Sequence, residues 1–129
     1  MPWGWDVKVL VLMAATEGGW DTATAEQRQE VMDAHTAFHK AVAERATMLA
    51  GEALAESPEA KTLRHVDGAP VVTQGPYAET VEQIGGFYLV EAESLDLVVE
   101  MCRLLPSSYA VEVRQVIDVE GYDDTRDWE

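Results

Sequence analysis

The chain of 129 residues contains a single cysteine, Cys102, and its longest unbroken apolar run extends only from Val9 to Ala15. One cysteine excludes an internal disulfide and a four-cysteine zinc site, and the apolar run falls far short of the roughly 20 residues of a membrane-spanning helix. The first residues, MPWGWD, show no basic segment leading into an apolar stretch, so we predict no secretory signal. A lone thiol is typical of a reducing compartment, and we therefore expect a cytoplasmic protein.

Basic residues are also scarce. Nine Lys and Arg stand against 24 Asp and Glu, and the formal net charge is −15. A surface that negative repels phosphate groups, which bind clustered Lys and Arg. We therefore expect no nucleic-acid partner and no anionic membrane as partner. The charge is consistent with solubility through repulsion between molecules, and a cationic partner or substrate is the alternative.

Hydrophobic residues make up 47% of the chain, which is enough for one domain with a real core. The apolar segment 7–13 predicts a central strand buried on both faces. Thr24 and Gln27 fit a capping box at the start of a helix. Apolar residues then recur at three- and four-residue steps from Val31, and this pattern predicts one long amphipathic helix over about 24–47.

Turn and capping signals mark the element boundaries in the rest of the chain. An Asp-Gly pair between two β-compatible runs is a hairpin signal. A Ser before an apolar stripe and a Pro after it mark the two ends of a helix. The remaining predicted elements are a short edge strand at 52–55, a hairpin of strands 61–66 and 69–73 joined by Asp67-Gly68, a strand at 87–91 opened by Gly85-Gly86, a helix between Ser94 and Pro106, and a last strand at 111–117.

The predicted order of elements is β-α-β-β(hairpin)-β-α-β, in which the hairpin supplies two strands, and the fold class is therefore α+β. Two helices on one face of a mostly antiparallel sheet form a ferredoxin-like sandwich, here with an inserted β-hairpin. A small sheet covered on one side leaves its other face open, and pairing two such sheets covers it, so we expect a twofold homodimer. We place the domain at residues 1–117 and an acidic C-terminal tail at 118–129.

One segment, residues 74–90, resembles the hallmark of YCII-related, DGPF-type proteins. It reads QGPYAETVEQIGGFYLV, and the family pattern is an Asp-Gly-Pro-Phe turn, Ala-Glu, polar residues, Leu-Gly-Gly and an aromatic strand. Trp20 before the first helix and residues 51–54 after it are supporting matches. The resemblance covers about residues 7–117. It implies a dimeric α/β-barrel of ferredoxin-like units, in which each subunit's cleft is closed partly by its partner.

The resemblance also implies enzymatic action, for which some members have a His–Asp pair. Two positions depart from the family pattern, since Gln74 stands in place of the Asp and Tyr77 in place of the Phe. If the Asp were a general base, this chain would have to use another group. If the Asp only caps the turn, Gln74 is a weaker substitute, because Asp bonds its own backbone more readily.

Three side chains are candidates for acid–base chemistry. His35 and His39 share one side of the first predicted helix, with His35 inside the apolar face and His39 at its edge. That is where a general base or acid would lie at the floor of a cleft. Glu79 follows a Gly-Pro turn, and its carboxylate could orient a histidine. The alternatives are a core histidine bonded to a backbone carbonyl and, for Glu79, a charge in the first turn of a short helix at 80–83.

Metal and cofactor chemistry find less support in the sequence. The His-x3-His spacing is half of a metal site, but zinc needs further ligands and no second spaced pair exists, so we predict no metal and no cofactor. Gly85-Gly86 is too short to cradle a phosphate. Cys102 lies on the apolar stripe of a helix and is expected to be inert.

The candidate substrate-binding residues are mostly aromatic or polar side chains near the motif, for which a core or interface role is the alternative. They are Trp20, Arg64, Gln74, Tyr77 and Tyr88. Together with the histidines, they predict a cofactor-independent enzyme that performs proton transfer, isomerisation or elimination on a small metabolite in a dimer cleft. The alternative is a non-catalytic module that binds a small-molecule ligand or a protein through the same cleft.

Overall fold

The structure, a computed structural model, describes residues 7–119. It has six strands, β1 (Val7–Thr16), β2 (Thr47–Ala53), β3 (Lys61–Val66), β4 (Ala69–Gln74), β5 (Glu82–Ala92) and β6 (Ala110–Gln115), and three α-helices, α1 (Gly19–Thr22), α2 (Ala25–Arg45) and α3 (Leu95–Met101). Single 3-10 turns lie at Ser57–Glu59 and Cys102–Leu104. The α+β class and the order of the predicted elements are confirmed, while the sequence pattern missed the short helix α1.

Two antiparallel sheets organise the chain. The larger has the strand order β2-β5-β1-β6, and the smaller is the β3-β4 hairpin. Every neighbouring pair is antiparallel. Strands β2 and β6 lie at the two edges of the larger sheet, so the described chain does not close into a barrel by itself.

The core lies between the helices and one face of the larger sheet. Alternate residues of the central strands point into it, as strand periodicity requires, and a fully buried aliphatic or aromatic side chain contributes roughly 1.5–3 kcal/mol. Its fully buried side chains are Val9, Val11, Phe38, Val42, Val90, Ala92, Val98 and Met101. The intervening residues, including Leu10, Leu12, Phe87 and Leu89, face the other side of the sheet and stay only half-buried.

The long helix α2 begins with the predicted capping box. The Thr24 hydroxyl accepts from the Gln27 backbone N–H at 3.0 Å, and the Thr24 N–H donates to Gln27 Oε1 at 2.8 Å. The helix ends at Arg45 rather than near 47, because Ala46 adopts an extended conformation and leads directly into β2. Leu49, an apolar residue that continues the helical spacing after Val31, therefore lies in a strand.

Several strand boundaries differ from the prediction. Strand β2 begins at Thr47, so the edge strand is longer and earlier than 52–55. Strand β1 continues to Thr16, which pairs with Glu82 and extends β5 towards its N-terminus. The alternative of a short helix at 80–83 is therefore wrong. In each case the pairing partner supplies hydrogen bonds that local sequence patterns do not reveal.

The β3-β4 hairpin turn and the start of helix α3 are as predicted. Asp67 and Gly68 have φ values of 52° and 82°, and two positive φ angles define the type I′ turn that Asp-Gly favours. The Ser94 hydroxyl caps α3 by accepting from the Leu97 N–H at 3.1 Å. The boundary at residue 117 stays a prediction, and most of the tail at 118–129 lies outside the described residues.

Within residues 7–119, none of the helices is both long enough and apolar enough to cross a membrane.

Candidate functional site

A cavity of about 480 Å³ opens beside α2 and the larger sheet. Met32, His35, Thr36 and His39 line it at the i, i+3, i+4 and i+7 positions of α2, which share one helix face. The remaining wall comes from β1, β2, β5 and the residue before β6, namely Met13, Ala15, Gly51, Glu52, Ala53, Gly85, Gly86, Phe87, Tyr88 and Tyr109.

Two histidines and two tyrosines form one hydrogen-bonded cluster on the cavity wall. His35 Nδ1 lies 2.7 Å from Tyr88 Oη, and His35 Nε2 lies 2.9 Å from Tyr109 Oη. His39 Nε2 lies 3.1 Å from the same Tyr88 hydroxyl. Tyr88 is only 7% exposed, His35 is half-buried and His39 is exposed, so the cluster runs from the protein interior to the surface.

The number of hydrogens limits how this cluster is bonded. A tyrosine hydroxyl has one hydrogen to donate, and a neutral imidazole has one N–H and one bare nitrogen. When Tyr88 donates to His35, it accepts from His39, and the His35 Nε2–H then donates to Tyr109. When Tyr109 instead donates to His35 Nε2, the His35 Nδ1–H donates to Tyr88, and Tyr88 donates to His39. The four groups therefore form a chain with two opposite hydrogen-bond directions.

The surroundings keep His35, Tyr88 and Tyr109 in their neutral forms. Burial lowers the pKa of His35 from its usual 6.5, and the neighbouring His39 lowers it further. Burial raises the pKa of the Tyr88 hydroxyl, with a smaller contribution from Tyr109, and burial likewise raises the pKa of Tyr109. At neutral pH His35 is therefore an uncharged imidazole between two protonated tyrosines.

Glycine in β2 makes room for the central tyrosine. Gly51 pairs with Tyr88 across the sheet, and a Cβ on Gly51 would lie 2.4 Å from Tyr88 Cδ1. On its other side the Tyr88 ring stacks on Phe38, with ring centroids 4.9 Å apart. The ring is held between helix and strand, and its hydroxyl is thereby directed to both histidines.

Of the residues predicted for the site, His35, His39 and Tyr88 come together at this cavity. Glu79 is exposed in the loop after β4, with its Oε1 near Gly75. The carboxylate expected to orient a histidine is thus not among the hydrogen-bond partners of His35, whose ring nitrogens both face tyrosine hydroxyls.

Trp20 lies elsewhere. It sits on α1, is 48% exposed and has the Arg28 guanidinium 5.2 Å from its ring centroid. It lines a second cavity of about 940 Å³, which shares Ala15, Gly85 and Tyr109 with the first. Tyr109 therefore stands at the junction of the two cavities.

Arg64, Gln74 and Tyr77 serve the hairpin and the loop that follows it. Arg64 Nη2 donates to the Tyr77 carbonyl at 3.0 Å, and its guanidinium lies 5.4 Å from the Tyr77 ring centroid. Gln74 Nε2 donates to the Pro58 carbonyl at 2.7 Å. The Gly75 N–H donates to the Ala60 carbonyl, and its φ of 114° requires glycine. These contacts give the motif turn a structural role in the described chain.

Sequence reasoning missed Tyr109, Met32 and Thr36 as lining residues. Met32 and Thr36 flank His35 at helical spacing and could have been found by continuing the stripe of His35 and His39 along the helix. Tyr109 follows the Pro106 turn as a single aromatic, and nothing local distinguishes it from a core residue. Its place beside His35 depends on β6 pairing with β1.

Metal ligands are not assembled within residues 7–119, where no group of three or more His, Cys, Asp and Glu side chains could hold an ion. Cys102 is half-buried, and burial raises the pKa of its thiol to about 11. That thiol is protonated at neutral pH, and a protonated thiol is a poor nucleophile.

Comparison with known proteins places the chain in a family. The model of the YCII-related domain matches residues 7–120. The chain belongs to the YCII-related domain family. A relative from Rhizobium meliloti (strain 1021), described as an uncharacterised protein, is 45% identical over 65 residues, which cover 47% of this chain and 52% of the relative. The match thus spans about half the length of that relative, and the predicted resemblance to the YCII-related family is confirmed.

Proposed function

We propose that this YCII-related domain is a cofactor-independent enzyme that moves a proton on a small molecule bound in the 480 Å³ cavity. The observation that carries the proposal is His35, a neutral imidazole with one tyrosine hydroxyl on each ring nitrogen at the cavity wall. General acid–base groups work best when they exchange protons near the working pH and lie within hydrogen-bond reach of a reacting group. Isomerisation and elimination are the reaction types that such a cluster serves.

The cavity favours an uncharged ligand of modest size. Its volume falls within the roughly 300–1,000 Å³ typical of small-molecule sites. The lining contributed by the described chain is mostly apolar and includes no Lys or Arg, so a carboxylate or phosphate would lose hydration without gaining a counterion. A neutral molecule with one polar group that bonds a tyrosine hydroxyl suits these walls.

A homodimer of ferredoxin-like units completes the proposal. The half-buried apolar residues on the uncovered face of the larger sheet, among them Leu10 and Leu89, would be covered by the same face of a second copy. The hairpin supports an assembly as well, since Leu63 is 57% and Val72 is 59% exposed. Exposed apolar surface of this kind marks protein–protein contact, and two open sheets that meet face to face form the predicted dimeric barrel.

A non-catalytic ligand-binding module is the second candidate. The observation that favours it is the saturation of His35, since both of its ring nitrogens have tyrosine hydroxyls as hydrogen-bond partners. Such a cluster also satisfies buried polar groups and orders the cavity wall without any chemistry.

Hydrogen–deuterium exchange of bound compounds distinguishes the two candidates. Uncharged ketones and lactones with acidic C–H groups are first screened for binding by the change in Tm, and binders are then incubated with the protein in D2O. The proposed enzyme replaces C–H by C–D, as followed by proton NMR, and His35→Gln slows this replacement about 100-fold. His65→Gln, an exposed hairpin variant, is the matched control and exchanges at the wild-type rate. Binders that never exchange would support the binding module and overturn the enzyme proposal.

A further inference from the structure

We infer that the Tyr109 hydroxyl is the group that exchanges the proton with the ligand, and that His35, Tyr88 and His39 form a relay behind it. The inference rests on the proposed acid–base function and goes further, because it names the contacting group and restricts the reaction to isomerisation.

Tyr109 is the member of the cluster placed to touch a ligand. His35 presents both ring nitrogens to tyrosines, and the Tyr88 hydroxyl already serves two histidines. The Tyr109 hydroxyl bonds His35 Nε2, and its residue lines both cavities. The Tyr109 hydroxyl oxygen can form a further hydrogen bond, and a ligand that occupies both cavities would lie against it.

The relay moves a proton away from the ligand in one concerted step. Tyr109 initially donates to His35 Nε2, His35 Nδ1–H donates to Tyr88, and Tyr88 donates to His39. The Tyr109 oxygen then takes a proton from a ligand C–H while its own proton passes to His35 Nε2. The Nδ1 proton passes to Tyr88, and the Tyr88 proton passes to His39 Nε2. The ligand keeps the C–H electron pair as an enolate-type anion, and His39 becomes an imidazolium at the exposed end.

This step leaves every hydrogen bond of the relay pointing the opposite way. His35 is now the Nε2–H tautomer, and the relay cannot accept a second proton until the direction is restored. The simplest restoration is the reverse transfer, in which Tyr109 first exchanges its hydroxyl hydrogen with solvent and then returns a proton to a different carbon of the same ligand. Abstraction followed by return is an isomerisation, with no net proton taken up or released.

Coupling between the two histidines can be measured without any ligand. Protonated His39 must donate to Tyr88, which then donates to His35 Nδ1, so His35 is held as the Nε2–H tautomer. We expect the ring 15N shifts of His35 to move towards that tautomer as pH is lowered. Glu52 is the other titratable residue that lines the 480 Å³ cavity in the described chain, and Glu52→Gln should leave this response unchanged.

Two variants test the relay itself. His39→Gln, at an exposed position, should abolish the pH-dependent change of the His35 tautomer, as should Tyr88→Phe where it folds. A His35 tautomer that does not respond to pH in the wild type, or that still responds in His39→Gln, would overturn the relay whether or not the protein is an enzyme.

Tyr109→Phe tests the contacting group. It keeps the ring and removes the hydroxyl, so bound compounds should exchange about 100-fold more slowly in D2O, while their binding changes little. His65→Gln, on the exposed hairpin, is the control and should exchange at the wild-type rate. Wild-type exchange in Tyr109→Phe would reject Tyr109 but leave the proposed function standing. Release or uptake of a net proton during turnover, seen with a pH indicator, would reject the isomerisation.

Discussion

Tyr88 is the residue on which the histidine cluster depends, because a single hydroxyl contacts both imidazoles. Its ring has backbone on one side, at Gly51, and the Phe38 ring on the other. The position of that hydroxyl is therefore set by packing and not by the hydrogen bonds alone. At the scale of single residues, the site is sensitive to volume as much as to chemistry.

Gly51→Ala is expected to displace the Tyr88 ring, since the added Cβ would lie 2.4 Å from Tyr88 Cδ1. The strain should lower the free energy of unfolding by about 1–3 kcal/mol, and the displaced hydroxyl should lose its contacts with the histidines. Urea denaturation measures the first effect and the histidine ring NMR signals measure the second. Gly85→Ala is the matched control, because a Cβ there meets no atom within 4 Å. Equal behaviour of the two variants would contradict this account of the ring's position.

Stability should also depend on the protonation of His35. Its pKa is lowered by folding, so between the ordinary value of 6.5 and the lower folded value the unfolded chain binds a proton that the native protein does not. The contribution of His35 to the free energy of unfolding is therefore fully present above about pH 6.5. It is lost as pH falls from there towards the lower folded pKa. Denaturation midpoints measured between pH 7.5 and 5 should show this decrease, and His35→Gln should reduce the slope.

His65→Gln removes an exposed imidazole on β3 and should leave that slope as it is in the wild type. Glu17 acts in a different range, because hydrogen bonds from Ser57 to its carboxylate lower its pKa below 4.5 and its contribution is lost only in stronger acid. A slope between pH 7.5 and 5 that survives in His35→Gln would show that another group is responsible.

At the scale of elements, α2 carries the histidine face, and its start is fixed by local chemistry. The capping box at Thr24 and Gln27, the Asp-Gly turn and the Ser94 cap each depend on a few neighbouring residues, which is why the sequence predicted all three. Helix and strand ends behaved differently. Thr16 and Glu82 belong to strands because they pair with each other, and no local signal identifies a partner 66 positions away.

Thr24→Ala should remove the hydroxyl that accepts from the Gln27 N–H and cost about 1 kcal/mol of unfolding free energy. The first turn of α2 should fray, while the turns that hold His35 and His39 remain helical. Amide hydrogen exchange of residues near the start of α2 reports the fraying, and urea denaturation reports the stability. Thr24→Ser retains the hydroxyl and should behave as the wild type; a comparable loss in that variant would exclude the cap as the cause.

At the scale of the whole molecule, the proposed homodimer depends on the uncovered face of the larger sheet. Leu89 pairs with Leu10 on one side and Ala50 on the other, near the middle of that face. A charged side chain there would have to be desolvated in a face-to-face dimer, and that desolvation is costly. In a monomer the same side chain would remain in water.

Sedimentation equilibrium should give the wild type twice the 14.2 kDa mass of one chain, and Leu89→Lys should shift it to the monomer mass. Val99→Lys, on the helix side of the molecule, introduces the same charge at a site 46% exposed and should remain dimeric. A wild type that sediments as a monomer at tens of micromolar would exclude the dimeric barrel.

The amino-acid sequence by itself determined the α+β class, the order of the predicted elements, the caps and turns, and membership of the YCII-related family, because these depend on local propensity, hydrophobic period and a contiguous motif. It also brought His35 and His39 to one helix face through their spacing. Only the tertiary structure decided which groups meet His35. Tyr88 and Tyr109 are 53 and 74 positions from it along the chain, and β-strand pairing and helix packing bring their hydroxyls to its two nitrogens. Strand register determines which distant side chains come into contact. Register itself depends on the pairing partner rather than on neighbouring residues.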